Sequence, residues 1–416
     1  MPLISFLPIP SDSHFPLQNL PYGVFTPPAG GAPRVGVAIG DQVLDLAALW
    51  DAGLFANTAV SPTPLFAQPT LNLFMAAGSR AWAEARAAIQ TLLRADNPRL
   101  RDDAAVRARA LWPQAGVTLH LPARIGDYTD FYSSKEHASN VGRMFGRETP
   151  LLDNWLHLPV GYHGRASSVV LSGTPIRRPH GQLKPPGAAA PIFGPTQELD
   201  FELELGFFVG PGNALGEPIP IDAAAEHIFG LVLVNDWSAR DMQRWEYRPL
   251  GPFLAKNFAT SISPWVVPLA ALAPFRVAGP LQEPAPLPYL QTAVPWAFDI
   301  HLEVHLQTAR MAAPAVIARS NARHLYWHVA QQLVHHASSG CNLQPGDLLA
   351  TGTISGPTPD SCGSLLELAW RGTRPLTLPS GEQRAFLADG DRLTLTGWCQ
   401  GDGYRIGFGE VAGTIG

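Results

Sequence analysis

The segment Leu199-Asp200-Phe201-Glu202-Leu203-Glu204-Leu205 alternates apolar and acidic residues with a period of two. Only an extended strand puts residues i, i+2 and i+4 on one face, so the pattern predicts a strand with one packed apolar side and one row of carboxylates. Acids spaced roughly 6.6 to 7 Å apart along a strand repel one another unless they are solvated, partly protonated or gathered around a cation. The apolar side argues for packing, and a hard metal ion reconciles packing with charge.

The rest of the chain must fold around such a strand. Its 39 glycines and 41 prolines in 416 residues stop short of the roughly 25 to 30% that marks low complexity, and they favour many turns and short strands. A mainly β body follows, with 46% hydrophobic residues sufficient for a large core and two domains of unequal size. Lys and Arg number 29 against 34 Asp and Glu, which leaves no basic footprint for nucleic acid. No run of eighteen apolar residues is present, and the start Met1-Pro2-Leu3-Ile4-Ser5-Phe6 lacks the charged and apolar regions of a secretion signal, so a cytoplasmic protein without membrane partners is expected. Cys341, Cys362 and Cys399 are scattered, which predicts buried thiols, with neither a disulfide framework nor a thiolate zinc site.

Short apolar runs such as Val35–Ile39 and Gln42–Leu46, separated by Pro and Gly clusters, predict a small N-terminal β unit. From Ser79 to Trp112 the residues Trp82, Ala85, Ile89, Leu92 and Leu93 recur at helical spacing, with Asn97-Pro98 as a break, so two helices joined by a turn are expected. The composition changes after Leu121-Pro122, and the domain boundary is placed near residue 118, giving 1–118 and 119–416. A further helix is predicted over Ala322–Ala337 from the stripe Leu325, Val329, Ala330 and Leu333.

Two more acids join the candidate metal ligands. Asp236 ends the apolar run Val232-Leu233-Val234-Asn235, and Asp130 lies in the aromatic-rich stretch Asp127-Tyr128-Thr129-Asp130-Phe131-Tyr132. An oxygen-only set selects Ca²⁺ or Mg²⁺ over zinc or copper. His137, seven residues beyond Asp130, is a candidate general base beside such an ion. Arg240, Gln243 and Lys256 supply donors just after Asp236 and suit an oxyanion pocket. The i, i+4 histidines His324 and His328 lack a third ligand and are read as packing or surface residues. The run Ala350–Pro357 is a Gly-bounded turn exposing amides and hydroxyls to a carboxylate, without the Gly-Lys ending of a phosphate loop.

Several long motifs together resemble the fumarylacetoacetate hydrolase family over nearly the whole chain: Asp127–Ser134, Asn154–Ser168, Asn235–Asp241, Trp245–Leu254 and Gly352–Pro357. The resemblance implies a mainly β fold with a small SH3-like N-terminal domain and a large C-terminal mixed β-roll, forming a homodimer in the cytoplasm. It implies metal-dependent hydrolysis of the carbon–carbon bond of 4-fumarylacetoacetate, a diketo acid, to fumarate and acetoacetate in tyrosine and phenylalanine catabolism. By the same resemblance Asp130, Glu202, Glu204 and Asp236 hold Ca²⁺, and Asp236, Lys256 and Thr260 adjoin Mg²⁺. His137 activates water and Glu367 orients it; Arg240, Gln243 and Lys256 serve the oxyanion and leaving group. Tyr132, Tyr162, Gln243, Tyr247 and Thr353 contact substrate. One departure is the Gly146-Arg147 loop, shorter by a residue than the family's, where Arg147 or Arg143 stands in for a substrate-binding arginine. Two rival readings are a related acylpyruvate hydrolase or oxaloacetate-type decarboxylase, and a catalytically silent metal-stabilised binding protein that would need neither His137 nor Glu367.

Overall fold

The computed structural model describes residues 3–416; Met1 and Pro2 of the sequence reading lie outside it. Hydrophobic alternation and frequent turn residues yield the predicted mainly β architecture. An antiparallel N-terminal sheet runs in the order Leu111–Pro113, Gln42–Asp45, Arg34–Ile39, Tyr22–Thr26 and Thr118–His120. The last of these strands pairs with Tyr22–Thr26, so the sheet extends past the expected boundary near residue 118.

The larger sheet is mixed and runs in the order Gly161–His163, Tyr128–Phe131, Leu348–Ala350, Leu203–Val209, Ile228–Asp236, Thr260–Ile262 and Val169–Leu171. The Tyr128–Phe131 and Leu348–Ala350 pair and the Thr260–Ile262 and Val169–Leu171 pair are parallel. The central strands Leu203–Val209 and Ile228–Asp236 are buried along their whole length. One face packs on the N-terminal sheet through Tyr22, Phe74, Val232 and Leu348, and the other on a core containing Leu205, Leu231, Trp237 and Leu333. A strand covered on both faces has no solvated side. The predicted acidic face therefore cannot be a surface.

Three local expectations are corrected. The acidic segment is not one strand: Leu199–Asp200 pairs with Ser238–Ala239, and a new strand begins at Leu203. The Asn235 side chain accepts the Glu202 amide at 3.1 Å between them, taking up a backbone donor where the ladder breaks. The helical stretch after Ser79 becomes Gly78–Leu93, Pro98–Arg101 and Ala104–Ala110, because Asn97 and Asp103 each cap a new helix start. The predicted 322–337 helix begins only at Val329, where the His328 side chain accepts the Gln331 amide and closes a capping box. Cys362 and Cys399 are buried as predicted, while Cys341 is half-buried.

The helix Lys135–Met144 carries His137 and passes so close to the following loop that a β-carbon on Gly142 would lie 1.9 Å from the Pro150 carbonyl oxygen. Backbone cannot yield as a side chain does. Gly142→Ala should therefore destabilise the fold by about 1–3 kcal/mol, lowering the thermal unfolding midpoint; an unchanged midpoint would show that the loop accommodates the methyl group.

Candidate active site

Strand register, rather than sequence proximity, assembles the acids. Asp130 lies opposite Tyr162 and Ala350, Leu203 opposite Asn235, and Asp236 opposite Thr260. The carboxylates of Asp130, Glu202, Glu204 and Asp236 each place an oxygen within 4.8 Å of the others, and all four are buried. Tyr162 donates to Asp130 at 3.0 Å and to Asp236 at 3.1 Å. Lys256 Nζ donates to Glu202 and Asp236, both at 2.6 Å, and Thr260 donates to Asp236 at 2.7 Å. Arg240 donates to Asp200 at 2.8 Å, to Glu202 at 2.6 Å and to Gln243 at 3.2 Å.

The charges do not balance within the protein. Burial, then repulsion from Asp236, holds the Asp130 carboxyl well above the usual range, and burial with Asp130, Glu202 and Asp236 does the same to Glu204. Burial also raises Asp236, with Lys256 opposing it. At Glu202 burial is outweighed by the attraction of Lys256 and Arg240, so its carboxyl sits below the usual range. Lys256 and Arg240 stay charged because their acid partners overcome burial. Both Glu204 oxygens, Asp130 Oδ1, Arg240 Nη2 and Thr353 Oγ1 are buried without a hydrogen-bond partner. Orphaned buried oxygens are costly. The free oxygens of Glu204 and Asp130 fit the oxygen-only shell of a hard divalent cation, and the four clustered acids leave room for its charge.

Beside this cluster, His137 Nδ1 lies 2.6 Å from Glu367 Oε2. Burial raises the Glu367 carboxyl, but the His137 charge and hydrogen bond, with Asn140 and Ser355, bring it below its usual range. An ionised carboxylate only accepts, so Nδ1 presents a proton to Glu367, and in the neutral form of the ring Nε2 is the acceptor. The Tyr132 ring meets the imidazole edge-on at 5.2 Å between centroids. The sequence reading did not include Asn140 and Ser364, which donate to Glu367 at 2.9 Å each, while Ser355, in the turn read as suited to a carboxylate, donates to it at 2.8 Å. Asn140 is three residues from His137 on one helix, and Ser364 precedes Glu367 in a Ser-x-x-Glu cap; both spacings were available signals.

The other predicted residues divide. Residues 351–356, read from sequence as a turn offering amides and hydroxyls to a carboxylate, are buried; Gly352 adopts φ +76° with the Phe131 carbonyl 2.2 Å from where a β-carbon would sit. Tyr247 is half-buried at the end of the Arg240–Glu246 helix. Arg143 bonds Asn140 at 3.1 Å, whereas the Arg147 charge acts on half-buried Tyr132. His328 stacks on Trp296, outside the cluster. A cavity of about 130 Å³ beside the acids is walled by Tyr162, Arg165, Asp236, Phe253 and Lys256.

A buried carboxylate nest that could hold a metal ion, next to a histidine paired with a carboxylate, has the makings of a hydrolase site. The family models for fumarylacetoacetase N-terminal and fumarylacetoacetate hydrolase C-terminal regions match residues 18–122 and 127–415. The fumarylacetoacetase of Bos taurus is 60% identical over 414 residues, covering 99% of this chain and 98% of its own. Those of Mus musculus and Arabidopsis thaliana are 59% and 54% identical over the same length and shares. The solved fumarylacetoacetate hydrolase of Exiguobacterium antarcticum shares the fold, with TM-score 0.53 at 18% identity over 95% of this chain and 99% of that one. The chain belongs to the fumarylacetoacetase family. Among the described residues no helix is long and apolar enough to cross a membrane.

Proposed function

We infer that this protein is a fumarylacetoacetase, a hydrolase that splits 4-fumarylacetoacetate into fumarate and acetoacetate. The observation that carries the reading is the Glu367-oriented His137 set beside four buried carboxylates. Full-length relatives of that name support it. A homodimer and a cytoplasmic setting go with the reading and rest on the family likeness.

Cleavage requires a water oxygen to add to one carbonyl carbon, its proton to leave, and the adjacent carbon–carbon bond to break with its electron pair moving into an enolate. His137 Nε2 takes the water proton and later returns it to the enolate carbon, while Glu367 keeps Nδ1–H fixed and steadies the imidazolium. Arg240 Nη2 and Lys256, with Gln243, offer donors to the oxyanion and the departing enolate. Tyr132, Tyr162, Tyr247 and Thr353 contact the substrate, and Arg147 or Arg143 meets its carboxylate. Asp130, Glu202, Glu204 and Asp236 would hold Ca²⁺, which would supply Lewis-acid polarisation of a carbonyl. Mg²⁺ near Asp236, Lys256 and Thr260 would use oxygens other than the Lys256 ammonium, which can only donate.

Purified protein with added Ca²⁺ or Mg²⁺ should remove the ultraviolet absorbance of fumarylacetoacetate, release fumarate and acetoacetate, and lose this activity to a chelator. Absence of turnover under every metal condition would reject this substrate and favour an acylpyruvate or an oxaloacetate-type acid. The match to the fumarylacetoacetase N-terminal model over residues 18–122 supports the first reading.

A further inference from the structure

The sequence placed Asp200 in the acidic row with Glu202 and Glu204, yet it stands outside the four-carboxylate cluster. It is fully buried and every lone-pair direction is used. Oδ1 accepts the amides of Phe201 and Leu365, each at 2.8 Å. Oδ2 accepts the Leu366 amide at 3.0 Å and Arg240 Nε at 2.8 Å. Leu365 and Leu366 open the one-turn helix Leu365–Leu368 that carries Glu367. One carboxylate thus joins the turn behind the His137 pair to the arginine at the metal side. Those two parts are 125 residues apart in sequence, and Asp200 sits on a short strand whose own partner, Ser238–Ala239, leads directly into Arg240.

We propose that Asp200 is a positioning residue that holds Glu367, and through it His137, in register with Arg240 and the metal-side carboxylates. The inference rests on the hydrolase reading above. A four-residue helix has almost no stability of its own, so its placement depends on such tethers, among them the Ser364 cap and the Asn140 and Ser355 hydrogen bonds to Glu367. A displacement of about 1 Å at this turn would move the base relative to the reacting carbon and cost up to roughly 10²-fold in rate.

Asp200→Asn keeps the shape but turns one acceptor oxygen into a donor facing donors. With metal-loaded full-length enzyme, kcat should fall about 10- to 100-fold while calorimetric Ca²⁺ affinity holds. In the Glu367→Gln background the same substitution should add almost no further loss. The downfield proton resonance of His137 Nδ1–H should move in Asp200→Asn and not in Asp391→Asn, a control that disturbs a buried pair with Arg384. Equal fold-losses in both backgrounds, or an unmoved His137 resonance, would overturn the proposal. Should Asp200→Asn not fold, Asp200→Glu keeps the charge but shifts the acceptors, and an unchanged kcat in that variant would overturn it equally. If the wild type shows no turnover, the hydrolase reading fails, and the resonance alone still decides whether Asp200 positions Glu367.

Discussion

His137→Ala should lower kcat on fumarylacetoacetate by about 10² to 10⁴-fold, the usual range for a lost general base, while Ca²⁺ still binds. The imidazole is the one group beside the carboxylate cluster with an acceptor nitrogen fixed by a carboxylate partner on its other nitrogen. The remaining donors, Asn140, Ser355 and Ser364, still hold Glu367 in the variant. A water proton would then have no acceptor at the imidazole position. Steady-state absorbance assays paired with calorimetric metal titration separate the two properties. Retained kcat would remove His137 from the mechanism, and loss of Ca²⁺ binding would make it part of the metal site instead. A silent metal-binding protein would show no turnover to lose.

Removing the metal should abolish activity and reverse the pH dependence of stability. Burial and mutual repulsion hold Asp130 and Glu204 above the ordinary carboxylate range in the ion-free fold. An acid raised in the folded state binds a proton that the unfolded chain has already lost, so the fold binds more protons than the unfolded chain. Stability of the ion-free protein therefore falls as pH rises from about 4 through the raised values. Glu202 and Glu367 are depressed and act oppositely, but their contribution is lost only as pH drops below the ordinary range. Ca²⁺ must displace the protons on Asp130 and Glu204, so it should bind more tightly as pH rises, releasing protons as it does. At a free concentration of about 100 Kd it should add about 2.7 kcal/mol of stability. Thermal unfolding across about pH 5 to 8 with and without chelator tests this. An ion-free midpoint that climbs with pH over that range would show that the acids are already compensated within the protein.

Much of the site was legible because charge in an apolar context is informative without coordinates. Glu202 and Glu204 were found from alternation and Asp236 from its place at the end of a buried-looking strand; the second strand assignment holds, whereas the first is split before Leu203. His137 was a candidate base from its place near Asp130 and Glu367 came from motif likeness, and the structure brings them to 2.6 Å although they lie 230 residues apart. What failed was local. The acidic row breaks at residues 201–202 because Asp200 pairs with Arg240 and two helix amides in place of the metal-side acids. Alternation is a property of neighbours along the chain, whereas hydrogen-bond partners are chosen in three dimensions. The 350–357 turn was read as offering amides and hydroxyls to a carboxylate; it is buried under the close passage of Phe131 across Gly352, and its Ser355 hydroxyl donates to the carboxylate of Glu367.

The sequence by itself determined the mainly β class and the identities of the acids that gather in the buried cluster, because burial of like charges has few physical solutions. Only the tertiary structure decided which carboxylates face one another and which of them is turned to another task. Strand register sets those distances, and a shift of a single residue would send Glu202 and Glu204 to the opposite face. The tethering of Glu367 by Asn140, Ser355, Ser364 and the amides behind Asp200 was equally a tertiary outcome. A buried carboxylate takes whichever donors the packed elements bring within about 3 Å, and those elements come from distant parts of the chain.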